Sequence, residues 1–176
     1  SSPSRAIAKK MRGWPYWNTS STADIDTTAP SAMIHENCRQ FIFSSTAGVY
    51  GNAETVPVPE TAPTNPISPY GTSKLMSEIL LHDTARAHGM KFVVLRYFNV
   101  AGADPKLRTG QATPQATHLI KVTCETVLGR REKMNVFGTD YPTPHGTCIR
   151  DYIHVTDLVR AHSAALAYLR RGGASA

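Results

Sequence analysis

An α/β fold is predicted by three stretches in order: an apolar run, Phe41-Ile42-Phe43, that stops abruptly at Ser44-Ser45-Thr46; a helical segment over 70–88; and a second apolar run, Phe92-Val93-Val94-Leu95. Short continuous apolar runs suit strands buried on both faces. Two of them joined by a long crossover with a helix make a βαβ unit, in which the strands are parallel and the crossover is right-handed.

Each element has its own local reason. Over residues 1–37, Trp14, Pro15 and Trp17 are followed by a Ser/Thr/Ala/Asp stretch that sustains neither a helical nor an alternating period, so no element is assigned there. The loop over 46–69 carries Pro57, Pro59, Pro63, Pro66 and Pro69 and is too long for a simple connection, which points to a functional loop. In the helix over 70–88, Leu75, Met76, Ile79 and Leu80 form the expected inward stripe and Gly89 is a natural stop. Residues 115–129 read as a helix around Leu119, Val122 and Val127, Met134 to Phe137 as a short strand, and Tyr141 to Gly146 as a loop. A last helix is expected after Thr156 as N-cap, with Asp157 in its first turn and Leu158, Val159, Leu166 and Leu169 facing inward. Its basic end, Arg170-Arg171-Gly172-Gly173, suits the negative pole of the helix. No internal repeat is visible.

Composition narrows the function classes. A chain of 176 residues with 41% hydrophobic side chains is the size of one domain with a real core. No run approaches the length of a membrane span, and the start of the chain has no apolar stretch suited to a secretory signal, so a cytoplasmic protein with no membrane partner is expected. Cys38, Cys124 and Cys148 are odd in number and widely spaced, which suits free thiols in a reducing compartment. The net charge of +6 would suit a phosphorylated substrate. The basic residues lack the interleaved aromatics of a strand-binding groove, so no nucleic-acid partner is expected. His145, Cys148 and His154 lack a fourth ligand at metal spacing, so no metal is expected. His154 reads as a packed or hydrogen-bonded residue, and His82, His88 and His162 as surface or boundary residues of helices.

The chemistry is expected where the strands end. In an open parallel sheet, ligands bind beyond the carboxyl ends of the strands, where Ser44-Ser45-Thr46 and Tyr97-Phe98-Asn99 stand. Tyr70 and Lys74, four apart at the start of the intervening helix, lie on one face a turn apart. A phenol ionises near pH 10, but an ammonium and a helix N-terminus beside it favour the phenolate, which would make Tyr70 a base toward a sugar hydroxyl. A hydroxyl from Ser45 or Thr46 on the same substrate oxygen would complete a Ser/Thr, Tyr, Lys set for hydride chemistry with a nicotinamide. The spacing alone is a weak signal, because seven Tyr and seven Lys in this length produce it by chance about 0.3 times.

Longer motifs carry more. Ser44-Ser45-Thr46-Ala47-Gly48-Val49-Tyr50-Gly51, Ser68-Pro69-Tyr70-Gly71-Thr72-Ser73-Lys74 and Leu95-Arg96-Tyr97-Phe98-Asn99-Val100-Ala101-Gly102-Ala103 closely resemble the UDP-glucose 4-epimerases, which are extended short-chain dehydrogenases/reductases. Val136 to Thr143 and Gly146 to Val155 look like two signatures from that family's C-terminal half. The resemblance runs from about residue 39 to 171. It implies a Rossmann-like, doubly wound parallel sheet, here incomplete, with part of a smaller C-terminal substrate-binding region. Residues 39–113 would be the second half of an NAD-binding domain and 114–176 a partial substrate region whose last helix returns to it. Residues 1–38 stand apart as an atypical segment, disordered or read in an altered frame. The Gly-x-x-Gly-x-x-Gly turn with which the family seats the NAD pyrophosphate does not occur in this sequence, and the chain stops where the family continues, so it reads as an internal fragment.

The resemblance also implies roles. Tyr70 matches the catalytic base, Lys74 its partner and a contact to the nicotinamide ribose, and Thr46 the contact to the reacting 4-hydroxyl. Ser44, Ser45, Tyr97 and Phe98 fall on the cofactor side. Asn99 and Arg150 match contacts to the UDP-sugar diphosphate, His118 and Leu119 the segment lining the nucleotide-sugar site, and Asn135, Val136 and Phe137 the segment holding the uridine. The family often has Asn where His118 stands. The implied reaction interconverts UDP-glucose and UDP-galactose through a 4-keto sugar with NAD as cofactor, in a homodimer. The alternatives are another nucleotide-sugar epimerase or a dehydratase of the same superfamily, or a non-catalytic nucleotide-sugar-binding fragment.

Overall fold

The computed structural model describes residues 28–113 and 117–176. A helix, α1 (Thr28–His35), leads to strand β1 (Gln40–Ser44) and a single 3-10 turn (Ala47–Tyr50). After the Pro-rich loop come helix α2 (Pro69–His88), strands β2 (Lys91–Leu95) and β3 (Asn99–Ala101), helix α3 (Leu119–Val127), strand β4 (Tyr152–His154) and helix α4 (Val155–Arg170). β1 and β2 pair in parallel with Gln40 opposite Lys91 and Ser44 opposite Leu95, so the predicted βαβ unit is present. β3 and β4 form a second parallel pair, Asn99 opposite Tyr152.

Local chemistry explains the crossover helix. Ser68 caps α2 by accepting from the Gly71 N–H at 3.1 Å, Pro69 opens the first turn, and Gly89 closes it with φ of 65° in the left-handed region. Alternate strand residues then meet different layers. Phe41, Phe43, Phe92 and Val94 join Met33, Leu81, Ala85 and Met90 in a core beneath α1 and α2. Toward α4, the Gln40 amide donates to the Leu169 carbonyl at 3.1 Å and Ser44 Oγ meets His162 Nε2 at 3.0 Å. Helices therefore cover both faces, which is the doubly wound arrangement. Burial of Phe92, 1% exposed, contributes about 1.5–3 kcal/mol on its own. On the outer edge of β2, Ala176 accepts from the Val94 N–H at 2.8 Å and donates to the Phe92 carbonyl at 3.1 Å, the bonding of a further parallel strand.

Several sequence expectations are corrected. No element was expected before Gln40, yet α1 forms there because Met33 finds the core under α2. The first 27 residues of the segment expected to stand apart, and residues 115 and 116 of the helix predicted over 115–129, lie outside the described residues. That helix spans Leu119–Val127. Met134 to Phe137 is irregular: no strand among the described residues pairs with it, and Val136 and Phe137 stay exposed. α4 starts at Val155 with His154 as N-cap, its Nδ1 accepting from the Thr156 N–H at 3.2 Å, and Val159 is exposed while Ala165 and Leu169 are buried.

The largest correction concerns α2. Its buried positions are Gly71, Glu78, Leu81 and Ala85, whereas Met76 and Ile79 of the predicted inward stripe are 48% and 55% exposed. The inward face is polar in its first half because Lys74 and Glu78 bond the strand ends. Apolar periodicity therefore points to the wrong side of the helix.

Candidate functional site

The end of β1 turns sharply because Thr46 accepts from the Gly48 N–H at 3.1 Å and caps the following 3-10 turn. α2 docks its first turn on this one: a Cβ on Gly71 would lie 2.7 Å from the Gly48 carbonyl oxygen and 3.0 Å from Pro66 Cβ. Only glycine permits that approach, and it brings the Tyr70 phenol beside the Thr46 hydroxyl, close enough for the hydroxyl to act on the phenol's ionisation. Gly71→Ala is expected to destabilise the chain by about 1–3 kcal/mol, because the atom in the way is backbone. A lowered urea midpoint at unchanged slope is the result that checks it.

One turn on, Lys74 Nζ donates to the Ser44 carbonyl at 2.9 Å and sits 5.0 Å from the Phe43 ring centroid. Thr46, Tyr70 and Lys74 are thus gathered at one strand end, with the Tyr70 side half exposed. The electrostatics differ from the expectation. Burial, with the neighbouring Tyr97 adding to it, pushes the Tyr70 phenol above its ordinary value against the opposing hydrogen bond from Thr46. Burial also lowers Lys74. The ammonium is engaged by the Ser44 carbonyl, and the Tyr70 phenol is pushed toward its neutral form chiefly by burial.

Ser45 is placed elsewhere. Its side chain is buried and its hydroxyl donates to the Glu78 carboxylate, away from Tyr70. Ser44 contributes its carbonyl to Lys74, while its hydroxyl turns to His162, whose Nδ1 lies 2.8 Å from the Leu158 carbonyl. Tyr97 stands beside Tyr70 and packs edge-on to His162, with ring centroids 6.4 Å apart.

The substrate-side candidates converge on an open groove of about 810 Å³ between the β3–β4 pair and α3. Asn99, His118, Leu119, Val136, Phe137 and Arg150 all line it. Asn135 is exposed and does not line it. Asn99 is fixed by its side-chain amide, which donates to the Asp151 carbonyl at 3.0 Å. His118 precedes α3, and its Nδ1 meets the Gln111 amide at 2.9 Å. Arg150 is exposed and has no hydrogen-bond or ion-pair partner among the described residues, so its five donors are available. Phe98, 52% exposed, lines an adjoining recess of about 450 Å³ that shares Asn99 and His118 with the groove. Sequence reasoning missed Glu78 and Arg96 as residues of this neighbourhood. The available signal was spacing, since Glu78 continues the i, i+4 series of Tyr70 and Lys74.

Among the described residues no group of three His, Cys, Asp or Glu is placed to hold a metal ion, and His154 instead caps α4 while its ring abuts Gly102. No helix there is long and apolar enough to cross a membrane.

A doubly wound α/β unit with Thr, Tyr and Lys gathered beyond a strand end, and a groove carrying a free guanidinium, defines the chain as a Rossmann-like protein. It belongs to the NAD dependent epimerase/dehydratase family, whose model matches residues 16–175. It is 62% identical over 148 residues to the UDP-glucose 4-epimerase of Azospirillum brasilense, an alignment covering 84% of this chain and 42% of that protein. The crystal structure of UDP-glucose 4-epimerase from Brucella ovis in complex with NAD superposes with a TM-score of 0.79 at 44% identity, covering 83% of this chain and 45% of that one. The Bifidobacterium longum UDP-glucose 4-epimerase in complex with NAD+ and UDP gives a TM-score of 0.73 at 39% identity over 78% of this chain and 42% of its own. The chain thus spans less than half the length of these relatives.

Proposed function

We propose that this chain supplies the catalytic portion of an NAD-dependent UDP-glucose 4-epimerase, interconverting UDP-glucose and UDP-galactose. The observation that carries the reading is the gathering of Thr46, Tyr70 and Lys74 at the end of β1. The donor set fits the nicotinamide-ribose end of the cofactor: Lys74 spends one N–H on Ser44 and keeps two for ribose hydroxyls, and Tyr70, Tyr97 and Phe98 offer a phenol and aromatic surface beside them. The chemistry that NAD supplies when bound is hydride exchange with C4, by way of a 4-keto sugar.

The chain's own residues handle the proton and the anchoring. Thr46 holds the 4-oxygen of the sugar, and Tyr70 takes the proton from that oxygen and later returns it. Lys74, once beside a bound ribose, favours the phenolate by charge and offsets the burial that holds Tyr70 neutral in the ligand-free chain. Asn99 and Arg150 bind the diphosphate, with Val136 and Phe137 along the uridine. Binding energy is then spent at a distance from C4, and the sugar is free to present either face. The exposed Met76 and Ile79 on α2 support a homodimer in which a second copy covers that side of the helix. Free Cys38, Cys124 and Cys148 accord with a cytoplasmic setting.

A second reading is a nucleotide-sugar-binding fragment without turnover, which is supported by the groove that holds Asn99, Phe137 and the exposed Arg150. Denaturing the purified chain and assaying the released small molecules for NAD separates the two. Stoichiometric NAD supports the epimerase. A folded chain that releases none, and that binds UDP without converting UDP-galactose, leaves only the binding fragment.

A further inference from the structure

The ionic pair Glu78–Arg96 sits directly behind Tyr70 and Lys74. Tyr70, Lys74 and Glu78 follow one another at i, i+4 and i+8 on one face of α2, and Glu78 is 2% exposed. Its carboxylate accepts from the Ser45 hydroxyl and takes the Arg96 guanidinium in a fork, Nε at 3.1 and 3.2 Å from the two oxygens and Nη2 at 2.6 Å from Oε2. The free end of the same guanidinium donates from Nη1 to the Tyr50 hydroxyl at 2.9 Å and stacks over that ring at 5.0 Å. Tyr50 in turn donates to the Glu60 carbonyl in the Pro-rich loop at 3.4 Å. One buried carboxylate therefore ties the catalytic helix, the residue before Thr46, the end of β2 and the loop that follows the 3-10 turn.

We propose that Glu78 and Arg96 are positioning residues, which lock the Thr46 turn onto the helix bearing Tyr70 and Lys74 and so set the distance between the two reacting hydroxyls. The inference rests on the catalytic reading of those three residues. Desolvating two charges is costly, and an apolar pair of similar volume would hold α2 against the sheet at less expense. An apolar pair would not fix the helix in rotation or along its axis. A forked, charge-assisted set of bonds is directional and does fix both. The tolerance at a reacting centre is small, since a misplacement of about 1 Å can cost about 10²-fold in rate.

The test uses the chain as it stands and does not need turnover. Glu78→Leu combined with Arg96→Leu removes both charges together, so neither is left buried alone. The double variant is expected to keep helicity and cooperative unfolding, while amide hydrogen exchange over 46–50 and 70–74 speeds up about tenfold and that of 81–95 stays unchanged. A folded double variant with unaltered exchange over 46–50 and 70–74 overturns the proposal. If it does not fold, Ser45→Ala, which deletes a single hydroxyl, decides by the same measurement over 46–50: acceleration of about threefold supports the proposal and none overturns it. Where the wild-type chain turns over, kcat of the double variant is expected to fall about 30-fold or more with KM within twofold, and an unchanged kcat overturns the proposal. A wild-type chain without turnover counts against the catalytic reading alone, because the exchange result is independent of it.

Discussion

Tyr70→Phe is expected to lower kcat by about 10² to 10⁴-fold while UDP affinity stays within about twofold of wild type. The substitution removes one oxygen from a side chain that lies half exposed at the end of β1, so neither the core beneath α2 nor the groove beyond β3 loses a contact. What disappears is the group that carries the 4-hydroxyl proton beside Thr46. Initial rates with UDP-galactose and calorimetry with UDP separate the two effects. Retention of more than half the wild-type kcat would assign the proton to another residue. The same variant checks the electrostatics: in the absence of added ligand, the 295 nm difference titration between wild type and Tyr70→Phe is expected to show a phenol ionising above the range of a free tyrosine, because burial and Tyr97 outweigh the opposing influence of Thr46. A transition near neutrality in the ligand-free chain would mean that Lys74 already acts on the phenol and is not held by the Ser44 carbonyl.

Arg150→Ala is expected to weaken UDP binding by about 2–3 kcal/mol, or roughly 30- to 150-fold, with little change in stability. The asymmetry follows from the environment. Arg150 is exposed and unpaired among the described residues, so truncating it orphans no buried charge, yet it removes the free fork that faces the groove shared with Asn99 and Phe137. Arg150→Lys is expected to recover only part of the loss, since an ammonium keeps the charge without the planar pair of donors. Calorimetric titration with UDP reads all three proteins. Equal affinities for wild type and Arg150→Ala would move the diphosphate elsewhere in the groove. Lys121 is a poorer candidate for that role, being engaged by the Thr113 carbonyl at 2.5 Å and lying 3.7 Å from Glu125.

What could be read from the chain alone is what short-range chemistry dictates. Phe41 to Phe43 and Phe92 to Leu95 are strands because continuous apolar runs of that length suit burial on both faces, and α2 ends before Gly89 as that glycine predicts. Thr46, Tyr70 and Lys74 were equally legible, since their motifs stand at a strand end and one helical turn. Folding in three dimensions decided the rest. Ser45 faces Glu78 across 33 residues, Arg96 reaches Glu78 across 18, and Ser44 meets His162 across 118. No local period encodes such pairings. The inward face of α2 was misread for the related reason that a site buries polar groups on purpose: Lys74 and Glu78 point to the strand ends, and Met76 and Ile79 are left outside. The strand expected over Met134 to Phe137 does not form, because an apolar run becomes a strand only where another backbone supplies its hydrogen bonds, and none among the described residues does so.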